Sequence, residues 1–234
     1  MRWLRPFIKV DGWLCVTNNQ RLALAETLGS QATIEITGQG IDMRFFRPQL
    51  EAADAGQKPY ILSVGMEMRD YQLLFAAIRP LDERLIVLAS SRWMDDVSQA
   101  HGEVPPNATI LERRLSYEEM RDLYAGAKAV VVPLKDTLQA AGITTILEAM
   151  TMRKTVIATR SAGLPDLLVN QHTGYVVEPD AAALAEAIQE AVNAGDASEQ
   201  MASRALATVR REASFEKYLD RLASALQTFP DGTQ

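Results

Sequence analysis

The stretch KAVVVPLKDTLQAAGITTILEAMTMRKTVIAT, residues 128–159, decides the fold. It opens on a continuous apolar run, KAVVVPL (128–134). A polar loop leads to a helical segment, ITTILEAMTM (143–152), and then to a second apolar run, TVIAT (155–159). Uninterrupted apolar strands are buried on both faces, as in parallel sheets covered by helices. Working outward, YILSVG (60–65), RLIVLAS (84–90) and ATIL (108–111) read as further buried strands, and GYVVEP (174–179) as a sixth. Helical spacing fills the gaps. DYQLLFAAIRP (70–80) stops at Pro80, and SYEEMRDLYAGA starts at Ser116, where Ser116 and Glu119 have the spacing of a capping box. AAALAEAIQEAVN (181–193) and segments near 197–212 and 214–228 complete the set. The expectation is an α/β fold with a doubly wound, Rossmann-like parallel sheet. Its ligands would sit at the carboxyl ends of the strands, in the loops after Val64, Leu88, Leu111, Val132 and Ala158.

Upstream of Lys58 the pattern is thinner. LCVT (14–17) and ATIEIT (32–37) are strand-like, and Asn18 to Leu28 between them is helix-like. GQGIDMRFFRPQ reads as a hinge, and EAADAGQK (51–58) as a linker. The opening MRWLRPFIKV lacks the long apolar core and small-residue cleavage site of a signal peptide. It reads as the end of a buried strand or helix, with contact to a membrane surface as the alternative. Three units are expected: residues 1–48, 49–212 and a C-terminal helix, 213–234, packing back toward the first.

Bulk properties narrow the function. The chain has 234 residues, 47% of them hydrophobic, enough for one good core. Its net charge of −6, with no Lys/Arg block, argues against nucleic acid, though a local pocket on an acidic protein can still be positive. The single cysteine, Cys15, cannot form an internal disulfide, and His101 and His172 have no metal-ligand spacing. A reducing, cytoplasmic setting fits, with no cofactor and no metal. No run of 18 apolar residues is present to span a membrane.

Chemistry is expected at four places. In Ala141 to Thr151, Ile143, Ile146, Leu147 and Met150 form a core stripe, while Thr144 and Glu148 neighbour each other on another face. A helix starting after Gly142 offers free N–H groups and the positive end of its dipole to an anion. Thr144 and Thr145 can add hydroxyls. Glu148 lies ~7.5 Å along the axis from Ile143, about the reach from a diphosphate to ribose hydroxyls. A solvated Glu on an exposed face fits the same pattern. SVGMEMRDY (63–71) is a strand, a Gly and a helix start, where Gly65 and Arg69 could meet a phosphate; an ordinary turn with a surface Arg fits equally. Arg113 and Arg114 follow a strand at the ligand edge and could face a base, a phosphate or a rim carboxylate. Lys135, Asp136 and Gln139 occupy the loop before Gly142, and Lys135 and Gln139 are candidate phosphate or sugar contacts. RSAGLPDLL (160–168) reads as a tight connection before a short helix.

Taken together, VVVPL, the loop, LEAMTMRKTVIATRSAGLPDLLVNQHTGYVVEPDAAALAEAI, SVG (63–65), LSYEEMRDLYAGAKAVVVP and GIDMRFFRP (40–48) resemble the C-terminal lobe of retaining glycosyltransferases of the two-lobed GT-B architecture (group 1, family 4-like). The likeness runs from about Gly40 to Asn193. It implies a nucleoside-diphosphate-sugar donor, retention and no bound metal. It places Glu148 on the donor ribose, the backbone of Gly142, Ile143, Thr144 and Thr145 on the diphosphate, Arg69 in the role of the basic residues after the first strand, and Arg114 and Leu115 near the base. The family pattern is Pro-Ser, a loop, Glu, seven residues, then Glu-Ala-Met-Ala. Here the first Glu is Ala140, the basic residue after Gly65 is Met66, and Asp166 stands where Glu is common. Met1 to Thr37 resemble only the last strand, helix and strand of the acceptor-binding lobe, which normally supplies a histidine to the donor sugar. The expected partners are the donor and a saccharide or lipid-linked acceptor. A separate N-terminal-lobe subunit and peripheral membrane contact through that lobe would fit as well. A non-catalytic nucleotide-sugar-binding partner subunit is the alternative. A sugar-nucleotide epimerase lacks its acid–base residues here, and a nicotinamide enzyme its glycine fingerprint.

Overall fold

The computed structural model describes residues 10–29, 31–48, 58–89 and 103–229. The readings of residues 1–9 and of most of the 51–58 linker lie outside these, as does His101.

Two parallel sheets are present. The smaller pairs β1 (Trp13–Cys15) with β2 (Ile34–Ile36), joined by α1 (Asn18–Leu28). The larger contains β3 (Tyr60–Val64), β4 (Leu85–Leu88), β5 (Ala108–Ile110), β6 (Ala127–Val132), β7 (Thr155–Thr159) and β8 (Tyr175–Val177), in the order β5-β4-β3-β6-β7-β8. All its pairings are parallel. The helices are α2 (Tyr71–Ile78), α3 (Tyr117–Gly126), α4 (Ile143–Thr151), α5 (Ala181–Asn193), α6 (Asp196–Glu212) and α7 (Phe215–Thr228). The expected doubly wound sheet is thus present. TVIAT and AAALAEAIQEAVN form elements with the boundaries expected of them. β6 stops at Val132 because Pro133 has no N–H to donate to a ladder.

The strands of the large sheet other than the edge strand β5 divide their side chains between two cores. Leu62, Val64, Val130, Val132 and Val156 join Tyr124, Ile146, Met150 and Val209 on one face. Ile61, Ala129, Val131 and Ile157 join Leu74, Phe75, Leu184 and Ile188 on the other. This period of two, apolar on both faces, explains why the strands read as unbroken runs.

The order places the reversal of winding between β3 and β6. The first strand winds outward through β4 to β5, and the chain then returns to β6 on its other side. A crevice opens at the carboxyl ends of such a pair. Two backbone hydrogen bonds stitch its two lips together, and a third bond steadies one of them. Asp70 N–H donates to Pro133 O (2.7 Å), Lys135 N–H to Met68 O (2.9 Å), and Gln139 N–H is held within its own loop by Thr137 Oγ1 (3.1 Å).

The small sheet docks on the same edge of the large one. From the start of α1, Asn18 N–H donates to Asp166 Oδ2, Asn19 Nδ2 to Ala162 O and Gln20 Nε2 to Leu138 O, each at 3.0 Å. α7 returns to β2: Phe215 N–H bonds Ile41 O (3.1 Å), Ile41 N–H bonds Ala213 O (2.9 Å), and Arg221 Nε bonds Thr37 O (2.8 Å). No helix among the described residues is long and apolar enough to cross a membrane.

The 160–168 connection is tight, but no helix follows it; the chain passes through turns to Asn170. Its Gly163 lies flat on the neighbouring loop. A Cβ there would stand 1.9 Å from Gln139 O and 3.0 Å from Thr137 O, both backbone atoms that cannot swing aside. Gly163→Ala should therefore destabilise the protein by about 1–3 kcal/mol, as overpacking does. A urea titration checks this through the midpoint; an unchanged midpoint would mean that these loops are not packed so closely.

Candidate functional site

The site is built on the two lips of the crevice. After β3 the chain turns at Gly65, with φ +103°, and passes through Met68 at φ +55°, a left-handed conformation that a side chain rarely adopts. This tight path swings Arg69 inward. The turn was expected to offer the N-terminus of α2 to an anion. The structure corrects this: the Asp70 carboxylate caps Leu73 N–H and occupies that helix start. Arg69 reaches across to α4 instead.

Arg69 is 5% exposed. Its Nη2 and Nε bond Val64 O (3.1 and 3.3 Å), Nη1 bonds Glu67 O (2.9 Å), and Nη2 also meets Thr145 Oγ1 at 3.4 Å. The surface-Arg reading is therefore replaced by a buried cation. Among the described residues no carboxylate forms an ion pair with it. Burial pulls its proton affinity down, with the nearby Tyr71, Tyr124 and Glu67 opposing this; a guanidinium nevertheless stays charged at neutral pH. Both glycines of the site stand against it. A Cβ on Gly65 would lie 2.8 Å from Arg69 Nη2, and one on Gly142 3.3 Å from Nη1.

Gly142 starts α4 at φ +79°, again left-handed, and has no side chain to cap the helix. The other helix starts differ. Thr17, Asp70, Ser116, Asp180 and Ser214 cap α1, α2, α3, α5 and α7, while α6 carries Asp196 and Glu199 in its first turn. Among the described helices, α4 alone has neither a capping side chain nor an acid in its first turn. Its free N–H groups and dipole stay available, with the Arg69 cation beside them.

The structure thus brings Gly65, Arg69, Gly142, Ile143 and Thr145 together. Thr144 is exposed at the same helix start, and its hydroxyl accepts from Gln39 Nε2 at 2.6 Å. Gln139 is exposed and donates to the Glu67 carboxylate, bridging the two lips, and Lys135 projects to solvent beside it. Arg114, exposed, and Leu115, packed against the core, lie on the loop after β5, two strands from β3. Arg113 pairs with Glu119 at 2.7 Å, the rim ion pair that was one of its readings.

Glu148 is not the solvated residue that its pattern allowed. It is 5% exposed, and the face of α4 separate from the core stripe is itself buried beyond Thr144. Its Oε2 accepts the Tyr124 hydroxyl at 2.7 Å, and Tyr124 is 0% exposed. Burial pushes the Glu148 carboxyl up to about 7, against the lowering effect of that hydrogen bond. Sequence reading missed Tyr124, because nothing in its surroundings on α3 marks it; only the packing of α3 on β3 and β6 brings its hydroxyl to Glu148 on α4. Beside these residues a cleft of about 170 Å³ separates the two sheets, lined by Val16, Ile36, Gln39, Ile143, Leu147 and Asp166.

A family model described as glycosyl transferases group 1 matches residues 58–194. No curated protein matches the chain in sequence. Among solved structures, sucrose-phosphate synthase from Thermosynechococcus elongatus superposes with a TM-score of 0.82 at 19% identity, over 94% of this chain and 58% of that one. HepE from Anabaena, in complex with UDP-glucose, gives 0.79 at 14%, over 94% and 64%. The C-terminal domain of a group 1 glycosyl transferase from Francisella tularensis gives 0.61 at 20%, over 75% and 100%. The chain therefore spans less than two thirds of the first two proteins, and at these identities the likeness is one of fold.

The buried carboxyl has a consequence for stability. Glu148 ionises at higher pH in the folded protein than in the unfolded chain, so the native state holds the extra proton. Stability then falls as pH rises from about 4.5 through about 7. Glu148→Gln removes this loss and keeps an acceptor for Tyr124. The variant should match the wild type near pH 5 and exceed it above pH 8 by up to about 3 kcal/mol, at ~1.4 kcal/mol per tenfold change in acidity. Denaturant unfolding across pH 5–9 measures this; curves that stay parallel would refute it.

Proposed function

The chain belongs to the group 1 glycosyl transferases, and from that premise we propose that it binds a nucleoside-diphosphate sugar on α4 and takes part in moving the sugar to a saccharide or lipid-linked acceptor with retention. One observation carries the reading: a buried cation without a carboxylate partner among the described residues stands beside the one described helix start that has neither cap nor acid. The diphosphate would lie over Gly142, Ile143, Thr144 and Thr145 with Arg69 beneath it, and the ribose would extend along α4 to Glu148. The UDP-glucose held by the Anabaena protein of like fold supports a donor of this class.

In the transfer, the bond from the anomeric carbon to the diphosphate oxygen breaks and a bond to the acceptor oxygen forms on the same face. The acceptor proton passes to the departing phosphate oxygen. Charge grows on the diphosphate as the sugar becomes oxocarbenium-like. Fixed donors that need no reorganisation, the α4 N–H groups and Arg69, lower the energy of that state. The inter-sheet cleft beside Ile143 gives the acceptor its approach.

Ala140 favours a second reading. It packs its methyl group against the core where the family pattern has a carboxylate facing the donor sugar. A chain that binds the donor while a separate N-terminal-lobe chain completes the reaction fits that feature.

Calorimetry with uridine, guanosine and adenosine diphosphates, and with pyrophosphate, tests the binding. At least one nucleotide should bind, and Arg69→Gln should weaken both it and pyrophosphate tenfold or more, about 1.4 kcal/mol. No binding, or affinity unmoved by Arg69→Gln, would overturn the proposal. NMR of the first sugar released from the matching donor separates the readings: a retained anomer supports catalysis, and an intact donor supports the partner role.

A further inference from the structure

We propose that Tyr124 is a positioning residue for ribose recognition: its buried hydroxyl holds Glu148 Oε2 and so turns Oε1 toward the ribose hydroxyls of a nucleoside diphosphate. The inference rests on the ribose reading of Glu148 given above.

Three observations carry it. First, the Tyr124 ring already packs edge-on to Phe46 at 6.2 Å inside an apolar cluster, so a phenylalanine would fill the space equally well. What the hydroxyl adds is polar contact on α4, above all a 2.7 Å bond to Glu148 Oε2, with Thr145 beside it. Charge-assisted O–H bonds to carboxylate are of this short kind and hold their partner in one orientation. Second, Glu148 lies among apolar residues of α4 and its neighbours, where a free carboxylate would rotate or take up a proton. Third, the bond leaves Oε1 as the oxygen to meet a ligand. A carboxylate can accept from two vicinal hydroxyls, whereas the neutral acid accepts at one oxygen only and donates from the other.

The groups around the pair are few. Tyr124 faces Glu148 from α3; Arg69, from the loop after β3, and Thr145, on α4, act on the phenol. The other elements packed on α4 contribute apolar residues to the same core: Val130 from β6, Val156 from β7 and Val209 from α6. The Tyr124 bond is what opposes the effect of burial on Glu148. Without the hydroxyl, ionisation moves to higher pH and the binding-competent carboxylate becomes scarcer at neutrality.

The test is calorimetry from pH 6.5 to 9 with uridine, guanosine and adenosine diphosphates and their 2′,3′-dideoxy forms. The wild type should prefer the ribose form at least tenfold. Tyr124→Phe should lose about five- to tenfold of that preference at pH 7 and regain only part of it by pH 9 as the freed carboxyl ionises, the remaining loss being that of orientation, with dideoxy binding unchanged throughout. A loss that is flat with pH or equal for both nucleotides, or no loss at all, overturns the inference and leaves Tyr124 as packing. A wild type that does not discriminate the two forms overturns the ribose reading itself. The double variant Tyr124→Phe/Glu148→Gln, which buries no charge, gives an independent check. Its preference for ribose should equal that of Glu148→Gln alone, and a further loss would show that Tyr124 acts by some other route.

Discussion

A guanidinium buried with no carboxylate partner among the described residues is the constraint on which the carboxyl edge of this protein depends. Taking Arg69 out of water is costly unless its N–H groups are satisfied and a negative charge is supplied. The chain meets the first need with carbonyls, Val64 O and Glu67 O, and does not meet the second from among its described carboxylates. Several features of the edge serve this arrangement. Gly65 and Gly142 lack the Cβ that would push the guanidinium aside, Met68 accepts a left-handed backbone, and the Asp70–Pro133 and Lys135–Met68 bonds fix the loop that carries it. A protein of net charge −6 thereby keeps a buried cation at the crevice where its sheet reverses its winding.

Glu148 is the second buried charge, and it does not neutralise the first. Arg69 lies at the level of Thr145, whereas Glu148 sits lower along α4 and turns to Tyr124. Where Glu148 is ionised, two opposite charges kept apart in one core cost stability that pairing would have recovered. Such an expense is expected where a ligand has an anionic part and a hydroxyl-bearing part held a fixed distance apart, and a helix of set rise spaces the two binding groups. The raised acidity range of Glu148 and the lowered one of Arg69 share one cause, burial.

The fold was legible because its strands lie between two helical layers. Residues such as Ile61 and Leu62 face different cores yet are both apolar, so the runs stand out, and helix limits followed from local chemistry such as the Ser116–Glu119 box, whose two bonds form at 2.8 and 3.1 Å. The site was legible in its residues and less so in their environment. Glu148 and Arg69 were singled out, but whether they were solvated could not be read from spacing, since that depends on which helix covers α4 and where the loop after β3 turns. The roles of Asp70 and Tyr124 were out of reach for the same reason. Asp70 fills the helix start next to Arg69, and Tyr124 comes to Glu148 across 24 residues of sequence.

The same edge also joins the two sheets. The loops that end in Gly142 and Gly163 receive Gln20, Asn19 and Asn18 from the start of α1, and Thr144 receives Gln39 from the segment after β2. Carboxyl ends of strands from both sheets therefore meet at α4, where single side-chain hydrogen bonds to loops join the apolar contacts that Val16 makes with the core of the large sheet. Bonds of that kind, made at exposed positions, are each worth only about 0.5–1.5 kcal/mol. Further attachment comes from α7, which closes on the segment after β2 through Ile41, Thr37 and Arg221, the last of them lining the cleft. Of the latching bonds, the one from Gln39 to Thr144 rests on the first turn of the helix that carries Glu148, so the seating of the small sheet is coupled to the start of α4.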